Sequence, residues 1–324
     1  MTGQSSPALG SFSVDPWDPG YGLAFGGDGP ASDPSESSAE VNLDIEQAAE
    51  KWSSVNPDPD LPMPATVLFL DGVRRIEARL WIHSAAPQPS PGIAASYAAG
   101  LVRCDGAARV VDIKLERGTF TAAPEAADIV TRHGPYPLRL STGGSPPELS
   151  LALQQRLAQT EIQLALEYRA GHHLGDDLLV LDGPLRGRTH LERTVGYVKT
   201  HHASYLPPAQ AAIIAALEPG QRTPVFTMGT SWIRHSWYLR LPGATGSPWS
   251  GVVRLECSAD LGPDEAVGLA NVTAGLLPPL ASAPYKDPRA PQNLVPIGGL
   301  ERELRHRLGD QQLLYRGLRE ASML

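Results

Sequence analysis

Two apolar runs that each end in Asp-Gly stand out in the first 200 residues: ATVLFLDG at residues 65–72 and DDLLVLDG at residues 176–183. Apolar runs of this length, bounded by turn-forming residues, predict buried strands. An aspartate at the tip of a buried strand is unfavourable unless it is paired or binds a metal ion. The two tips, Asp71 and Asp182, are therefore candidate site residues.

A strand pattern continues directly after the first run. The segment VRRIEARLWI alternates apolar and polar side chains, which is typical of a half-buried antiparallel strand. Residues 97–103 and 109–115 keep this alternation and are separated by Asp105-Gly106, a hairpin signal. We therefore expect three antiparallel strands at the start of the folded body.

The sequence SPPE at residues 145–148 has the form of a capping box, and it opens a predicted helix that runs to about Arg169. The pattern then predicts a strand at 178–181, helices at 189–200 and 210–217, strands near 224–228, 236–241 and 251–257, and helices at 264–276 and 294–308. The order β-β-β-α-β-α indicates an α/β fold with a mixed sheet flanked by helices.

The first 40 residues are rich in Gly, Ser, Pro and Asp and contain too few apolar residues to form a core. We expect residues 1–60 to be a flexible acidic arm that ends in a short helix, and residues 61–324 to be one folded domain. Within the arm, four aromatic residues leave two interpretations open, a docking segment or simple disorder. They are Phe12, Trp17, Tyr21 and Phe25.

The net charge of −8 is concentrated in the N-terminal part, since residues 1–50 carry nine acids and no Lys, Arg or His. The remaining residues are close to neutral, so a polyanionic ligand would need a local basic patch. One candidate is the segment 186–202, which contains Arg186, Arg188 and Lys199 and only one acid, Glu192. This segment is either a solvated surface or a phosphate-binding element.

The composition also indicates a compartment. The two cysteines, Cys104 and Cys257, are far apart and form neither a metal-ligand spacing nor a disulfide framework. The sequence shows no signal-peptide pattern and no apolar run approaching the roughly 20 residues that span a bilayer. We therefore expect a soluble cytoplasmic protein.

One glutamate lies on the apolar stripe of the capped helix. The stripe consists of Leu149, Leu153, Leu157, Glu161, Leu164 and Tyr168. A buried glutamate needs a partner. The partner of Glu161 is either an arginine, with Arg74 and Arg186 as candidates, or a metal ion.

Asp71, Glu161 and Asp182 arrive from a strand, the following helix and the next strand. Hard oxygen ligands of this kind suit Mg²⁺ or Mn²⁺. Two such ions a few Å apart can generate hydroxide and stabilise the attacking and leaving oxygens in phosphodiester cleavage. The three carboxylates therefore point to the chemistry of ribonuclease H-like nucleases.

Several blocks of the chain resemble the NurA nucleases in a bacterial form. They are FLDGVRRIEARL, the helix with Glu161, LLVLDGPLRG followed by VGYVKT, and SAPYKDPRAPQNLVPIGGLERELRHRL. The resemblance covers about residues 60–310. It implies an RNase H-like fold and a nuclease domain in residues 61–324.

The resemblance further implies a homodimer that cleaves DNA from 5′ ends with Mn²⁺ or Mg²⁺, through two ions, and that also cuts single strands internally. The resemblance implies DNA end resection together with a HerA-type hexameric ATPase. The chain has no nucleotide-binding motif of its own, so we expect any ATP-driven translocation to come from a partner. Two alternatives stay open. One is a catalytically silent RNase H-like module that binds nucleic acid or a partner, and the other is a related nuclease in antiphage defence.

By motif, Asp71, Glu161 and Asp182 match the metal-binding acids of the family. Lys199 matches the lysine that follows the second acidic strand and is expected to act at the catalytic centre through a phosphate contact. Expected DNA contacts come from Arg74, Arg186, Arg188 and Lys199.

The C-terminal block departs from the family pattern. Family members often carry a histidine before the final helix, whereas DPRAPQNLVPIGGLE has none. Asp287 or Asn293 could replace it as the fourth metal ligand or as a water-orienting group. Because Asp287 precedes Pro288, a turn-initiating role is an equal alternative.

Overall fold

The computed structural model describes residues 11–14, 35–36, 39–83, 88–172, 176–199, 203–243 and 249–323. Its strands are β1 Phe12–Val14, β2 Ser35–Glu36, β3 Glu40–Asn42, β4 Thr66–Ile82, β5 Ser90–Cys104, β6 Ala108–Thr121, β7 Ile129–Thr131, β8 Gly134–Tyr136, β9 Leu138–Leu140, β10 Asp177–Asp182, β11 Thr194–Val198, β12 Ala203–Ser204, β13 Phe226–Gly229, β14 Ile233–Arg240 and β15 Val252–Ser258. Its helices are α1 Pro146–His172, α2 Pro208–Ala216, α3 Pro263–Leu276, α4 Val295–Arg307 and α5 Gln311–Ala321, with short 3₁₀ turns at Ala49–Lys51 and Pro278–Leu280.

The main sheet has the order β3-β13-β14-β15-β11-β10-β4-β5-β6-β9, with β1 paired to the far end of β4. In its centre, β4, β5 and β6 are antiparallel neighbours, whereas β10 runs parallel to both β4 and β11. This central arrangement of five strands is the RNase H-like one. It confirms the predicted α/β fold with a mixed sheet.

Helices cover both faces of this sheet. On one face, α1 packs Leu153 and Leu157 against Leu68 and Leu70 of β4. On the other face, α3 and α4 pack against the alternate sheet residues, including Phe69 of β4. Because successive side chains of a strand point to opposite faces, each residue of β4 belongs to either the α1 side or the α4 side.

The first apolar run and the alternating segment that follows it form one strand. β4 continues through Asp71 and Gly72 to Ile82, with a register shift between Ile76 and Ala78. The carboxylate of Asp71 therefore arises in the middle of a long strand, whereas Asp182 is the last residue of β10.

The predicted helix at 189–200 is wrong. Residues 189–193 form turns, and Thr194–Val198 form strand β11 between β10 and β15. All five residues of β11 are buried. A central strand that is covered on both faces is apolar throughout and lacks the period-2 alternation, so its sequence is easily mistaken for a buried helix.

Part of the predicted acidic arm belongs to the main sheet. Phe12–Val14 pairs antiparallel with residues 80–82 of β4, and Phe12 and Val14 pack against the small core under α5. Trp17, Tyr21 and Phe25 lie outside the described residues. In the part of the chain that the structure covers, no helix is long and apolar enough to cross a membrane.

Candidate active site

The two aspartates of the Asp-Gly motifs lie side by side. The parallel register pairs Leu181 of β10 with Leu70 of β4, which places Asp182 next to Asp71. Asp71 lies opposite Gly100 of β5, and a Cβ at Gly100 would come within 2.7 Å of Leu300 in α4. Asp71 therefore points to the α4 side of the sheet.

The glycines of the two motifs have different roles. A Cβ at Gly72 would collide with Glu161 and would lie 2.8 Å from Leu157 Cδ1, so this glycine allows α1 to approach β4 closely. Gly183 has a φ of +105°, which turns the chain away at the end of β10. Its N–H donates to the carbonyl of Tyr197 at 2.8 Å.

A third carboxylate meets the two aspartates from α4. Asp71, Asp182 and Glu301 each offer an oxygen that lies within 4.8 Å of the others. The distance is short for three carboxylates, although Lys199 pairs with Asp182 and Arg289 pairs with Glu301. Within the described residues, Glu161 and Asp287 do not join this group.

The electrostatics of the group favour a cation. Burial and the nearby Asp182 raise the pKa of Asp71 well above its usual range. Burial also raises the pKa of Asp182, although Lys199 opposes this shift. Burial opposes the ionisation of Glu301 as well, but hydrogen bonds from Arg289 outweigh it and lower the pKa.

The hydrogen bonding of Asp71 is incomplete. Its Oδ1 accepts a hydrogen bond from Gly72 N at 2.7 Å, whereas its buried Oδ2 has no hydrogen-bond partner among the residues that the structure describes. Unsatisfied buried carboxylate oxygens are rare and require an explanation. An all-oxygen donor set with one unsatisfied atom fits a divalent metal ion, so Asp71, Asp182 and Glu301 could hold one.

Lys199 follows β11 and reaches the group directly. Its Nζ donates to Asp182 Oδ2 at 2.6 Å and to Asn293 Oδ1 at 3.1 Å. Asn293 Nδ2 in turn donates to Asp287 Oδ2 at 2.6 Å. Asp287 is thus linked to Asp182 through two side chains and also accepts a hydrogen bond from Arg289 N at 2.8 Å.

Glu161 lies on the other side of the sheet, above Gly72, and forms an ion pair with Arg188. Both side chains are less than 10% exposed. The sequence left two kinds of partner open for Glu161, an arginine or a metal ion. The structure shows an arginine, but it is Arg188 and neither of the two candidates, Arg74 and Arg186. A metal-binding role for Glu161 stays a prediction.

The predicted DNA-contacting arginines differ in their surroundings. Arg186 is exposed, and Arg188 is buried in its pair with Glu161. Arg74 donates to Ser150 Oγ at 3.0 Å in the first turns of α1. His201 and His202, at the end of the basic segment, lie outside the described residues.

The sequence interpretation missed Glu301, although a signal for it exists. The buried residues of α4 include Ile297, Leu300, Glu301 and Leu304, at helical spacing. Glu301 thus interrupts an apolar stripe in the same way as Glu161 does in α1. The many charges of LERELRHRL obscured this pattern, because they are typical of a solvated helix.

Comparison with known protein families matches residues 127–297 to the NurA domain, which is more than half of the chain. The matched segment includes Asp182, Lys199 and Asn293. Asp71 lies before it and Glu301 after it. No curated protein matches the chain.

Proposed function

The chain belongs to the NurA family of nucleases, and on this premise we propose that it hydrolyses phosphodiester bonds of DNA at the cluster of Asp71, Asp182 and Glu301. The observation that carries this proposal is the approach of three carboxylates to within 4.8 Å beside the unsatisfied Oδ2 of Asp71. Lys199 and Arg289 pair with two of these carboxylates, whereas burial of the third without a cation is costly.

We propose Mn²⁺ or Mg²⁺ as the cofactor, with two ions in the active state. Asp71, Asp182 and Glu301 would hold the first ion, and Asp287 is a further candidate ligand for the second. The predicted metal-binding role of Glu161 would require its carboxylate to leave the pair with Arg188 on the opposite face of the sheet. When bound, such ions supply a hydroxide nucleophile at neutral pH and neutralise charge that develops on the phosphate.

The surrounding side chains prepare the cluster for this role. Lys199 favours the ionised form of Asp182, and Arg289 does the same for Glu301. Asn293 holds the ammonium group of Lys199 from the other side. With a phosphate bound beside Asp182, this ammonium group would donate to a non-bridging oxygen, which is the proposed catalytic contribution of Lys199.

The cleavage polarity, the oligomeric state and the partner that we propose are those that the family resemblance implies. We propose 5′-to-3′ exonuclease and single-strand endonuclease activity, a homodimer, and DNA end resection together with a HerA-type ATPase. Arg74 and Arg186 are proposed phosphate contacts, and Arg188 is proposed to order the loop after β10 through its pair with Glu161. The same chemistry would serve a nuclease in antiphage defence.

The test is cleavage of labelled oligonucleotides in Mn²⁺ by the variants Asp71→Asn, Asp182→Asn and Glu301→Gln. Each variant loses one ligand, so we expect a decrease in rate of at least about 100-fold. Glu303→Gln is the matched control, because Glu303 lies two residues from Glu301 and pairs with the exposed Arg307. It should cleave like the wild type.

Two outcomes would contradict the proposal. Near wild-type cleavage by Asp71→Asn or Asp182→Asn would show that the chemistry takes place elsewhere. A wild-type protein that binds DNA but cleaves nothing in Mn²⁺ or Mg²⁺ would be the catalytically silent module. Calorimetric titration with Mn²⁺ then tests the ligands, since Glu301→Gln should weaken binding more than Asp287→Asn.

A further inference from the structure

A cavity of about 390 Å³ lies directly beside the carboxylate cluster. It is formed by the segment before α4 and by the first three turns of that helix. Its charged lining residues are Lys286, Asp287, Arg289, Glu301, Arg302 and Arg305, and Ser282 and Asn293 are polar. Three of these, Asp287, Asn293 and Glu301, also belong to the active site.

The charge of the lining is positive. Arg289 is neutralised by ion pairs with Glu301 and Asp287. By contrast, Lys286, Arg302 and Arg305 have no carboxylate within ion-pair distance in the described parts of the chain. The lining thus carries four cations against the two carboxylates of Asp287 and Glu301, and it would attract an anion of more than one charge.

The start of α4 adds to this effect. Leu294, Val295 and Gly298 form part of the cavity wall. Leu294, the residue before the helix, provides no side-chain cap for the N–H groups of the first turn, in which Pro296 has no N–H. The positive end of the helix dipole therefore faces the same space as the three cations.

We propose that this cavity binds the terminal 5′-phosphate of the DNA strand that is cut, an inference that rests on the proposed nuclease function and its 5′ polarity. A terminal phosphate carries a charge of about −1.5 to −2 and three acceptor oxygens, whereas an internal phosphate carries one charge. A cavity lined by several cations matches the terminal group better than it matches a passing backbone.

The shared wall gives the cavity a function in the reaction. Glu301 reaches the cluster on one side and lines the cavity on the other. A phosphate in the cavity would therefore hold the end of the strand at a fixed, short distance from the hydrolysed bond. Strands with a 5′-phosphate should be bound more tightly than strands with a 5′-hydroxyl.

The experiment measures binding without cleavage. Fluorescence anisotropy in EDTA compares one single-stranded oligonucleotide with a 5′-phosphate, with a 5′-hydroxyl, or with a 3′-phosphate. Two charge-assisted hydrogen bonds in an open cavity lead us to expect about tenfold tighter binding of the 5′-phosphate form. EDTA removes divalent ions in the measurements with all three oligonucleotides. The effect of the carboxylates on binding is therefore the same for each, and the ratio of the dissociation constants remains informative.

Variants test whether the cavity causes the difference in dissociation constant between the 5′-phosphate and 5′-hydroxyl strands. In Arg302→Ala/Arg305→Ala, the ratio between 5′-phosphate and 5′-hydroxyl strands should fall to about one. The matched control is Arg316→Ala/Arg319→Ala on α5, whose side chains are exposed and lie outside the cavity lining. The control should keep the wild-type ratio, and circular dichroism checks that both variants are folded.

Each result supports or overturns the inference. Equal binding of the 5′-phosphate and 5′-hydroxyl strands by the wild type would overturn it, as would a preference for the 3′-phosphate. An equal loss of affinity for all three strands in Arg302→Ala/Arg305→Ala would assign the cavity to an internal phosphate. Cleavage in Mn²⁺ is measured separately, so a missing 5′-phosphate preference with intact cleavage leaves the nuclease proposal standing. Conversely, a preference for the 5′-phosphate strand without cleavage would support phosphate binding in the cavity and contradict the nuclease proposal.

Discussion

Asp71 is the residue with the greatest conflict between folding and function. Its carboxyl group is buried between Asp182 and Glu301, and its Oδ2 has no hydrogen-bond donor among the described residues. The native protein without metal therefore favours the protonated form of Asp71, and its pKa is raised well above the ordinary value of about 3.9. The conflict disappears when a cation binds.

A pH dependence of stability follows from this shift. The folded chain binds more protons than the unfolded chain between about pH 4 and the raised pKa of Asp71, so the metal-free protein should lose stability as the pH rises through that window. Asp71→Asn should remove this loss and stabilise the protein in EDTA at pH 8 by about 1 to 3 kcal/mol, because the new amide can donate to the neighbouring carboxylates.

Urea denaturation in EDTA at pH 5 and pH 8 measures the effect. The exposed Glu125 provides the control, and Glu125→Gln should change stability by less than about 0.5 kcal/mol at either pH. Lower stability of Asp71→Asn than of wild type at pH 8 would mean that Asp71 is not held against like charges.

The two aspartates could be predicted from the sequence because each ends an apolar run with Asp-Gly, and adjacent strands bring such residues together. Glu301 could not be placed with them, since 119 residues separate it from Asp182 and its contact depends on how α4 crosses the sheet. The sequence also did not show which face of the main sheet α1 covers. Glu161 and Asp71 belong to opposite faces of β4, and only the register shows this.

At the scale of elements, a buried ionic network fixes the loop that follows Asp182. Glu256 of β15 is fully buried and accepts a hydrogen bond from Leu185 N at 2.6 Å. The same carboxylate pairs with Arg254 at 2.8 Å and with Arg234 at 3.0 Å. Gly196 of β11 allows this close approach, because a Cβ there would lie 2.9 Å from Leu185 N.

We predict that Glu256→Gln destabilises the protein by about 3 kcal/mol, because it leaves two buried arginines without a counter-charge. Urea denaturation tests this value against Glu303→Gln, whose exposed pair with Arg307 contributes less than about 1 kcal/mol. A stability of Glu256→Gln within about 0.5 kcal/mol of wild type would show that the arginines find other partners.

Elements with a clear period were predicted correctly, and the exceptions have a physical cause. β4, β5 and β6 alternate or follow turn signals, and α1 begins at its capping box, where Ser145 N donates to Glu148 at 3.0 Å. β11 has no period of two, because both of its faces are buried. Only its β-branched and aromatic residues, Thr194, Val195, Tyr197 and Val198, distinguish it from a helix.

At the scale of the whole molecule, the predicted N-terminal arm is not one flexible segment, because part of it belongs to the main sheet. Phe12–Val14 completes the sheet beside β4, and Ser11 O accepts a hydrogen bond from His83 N at 2.7 Å. Removal of the whole arm would therefore expose part of the core under α5 and confuse folding with assembly. Substitutions that leave β1, β3 and the buried Trp52 unchanged avoid this problem.

The last prediction concerns Trp17 and Tyr21, in the acidic sequence DPWDPGYG. The nine acids and absence of bases in residues 1–50 would repel DNA, whereas rigid aromatic side chains commonly dominate the binding energy of protein interfaces. We therefore expect Trp17→Ser/Tyr21→Ser to weaken the proposed homodimer or the proposed complex with a HerA-type ATPase by at least about tenfold, while cleavage of short single strands stays unchanged. Light scattering after size exclusion measures the dimer, and a pull-down with the ATPase measures the complex. Ser5→Ala/Ser6→Ala is the control within the same segment, and unchanged assembly of the aromatic variant in both measurements would show that the two aromatic residues do not dock.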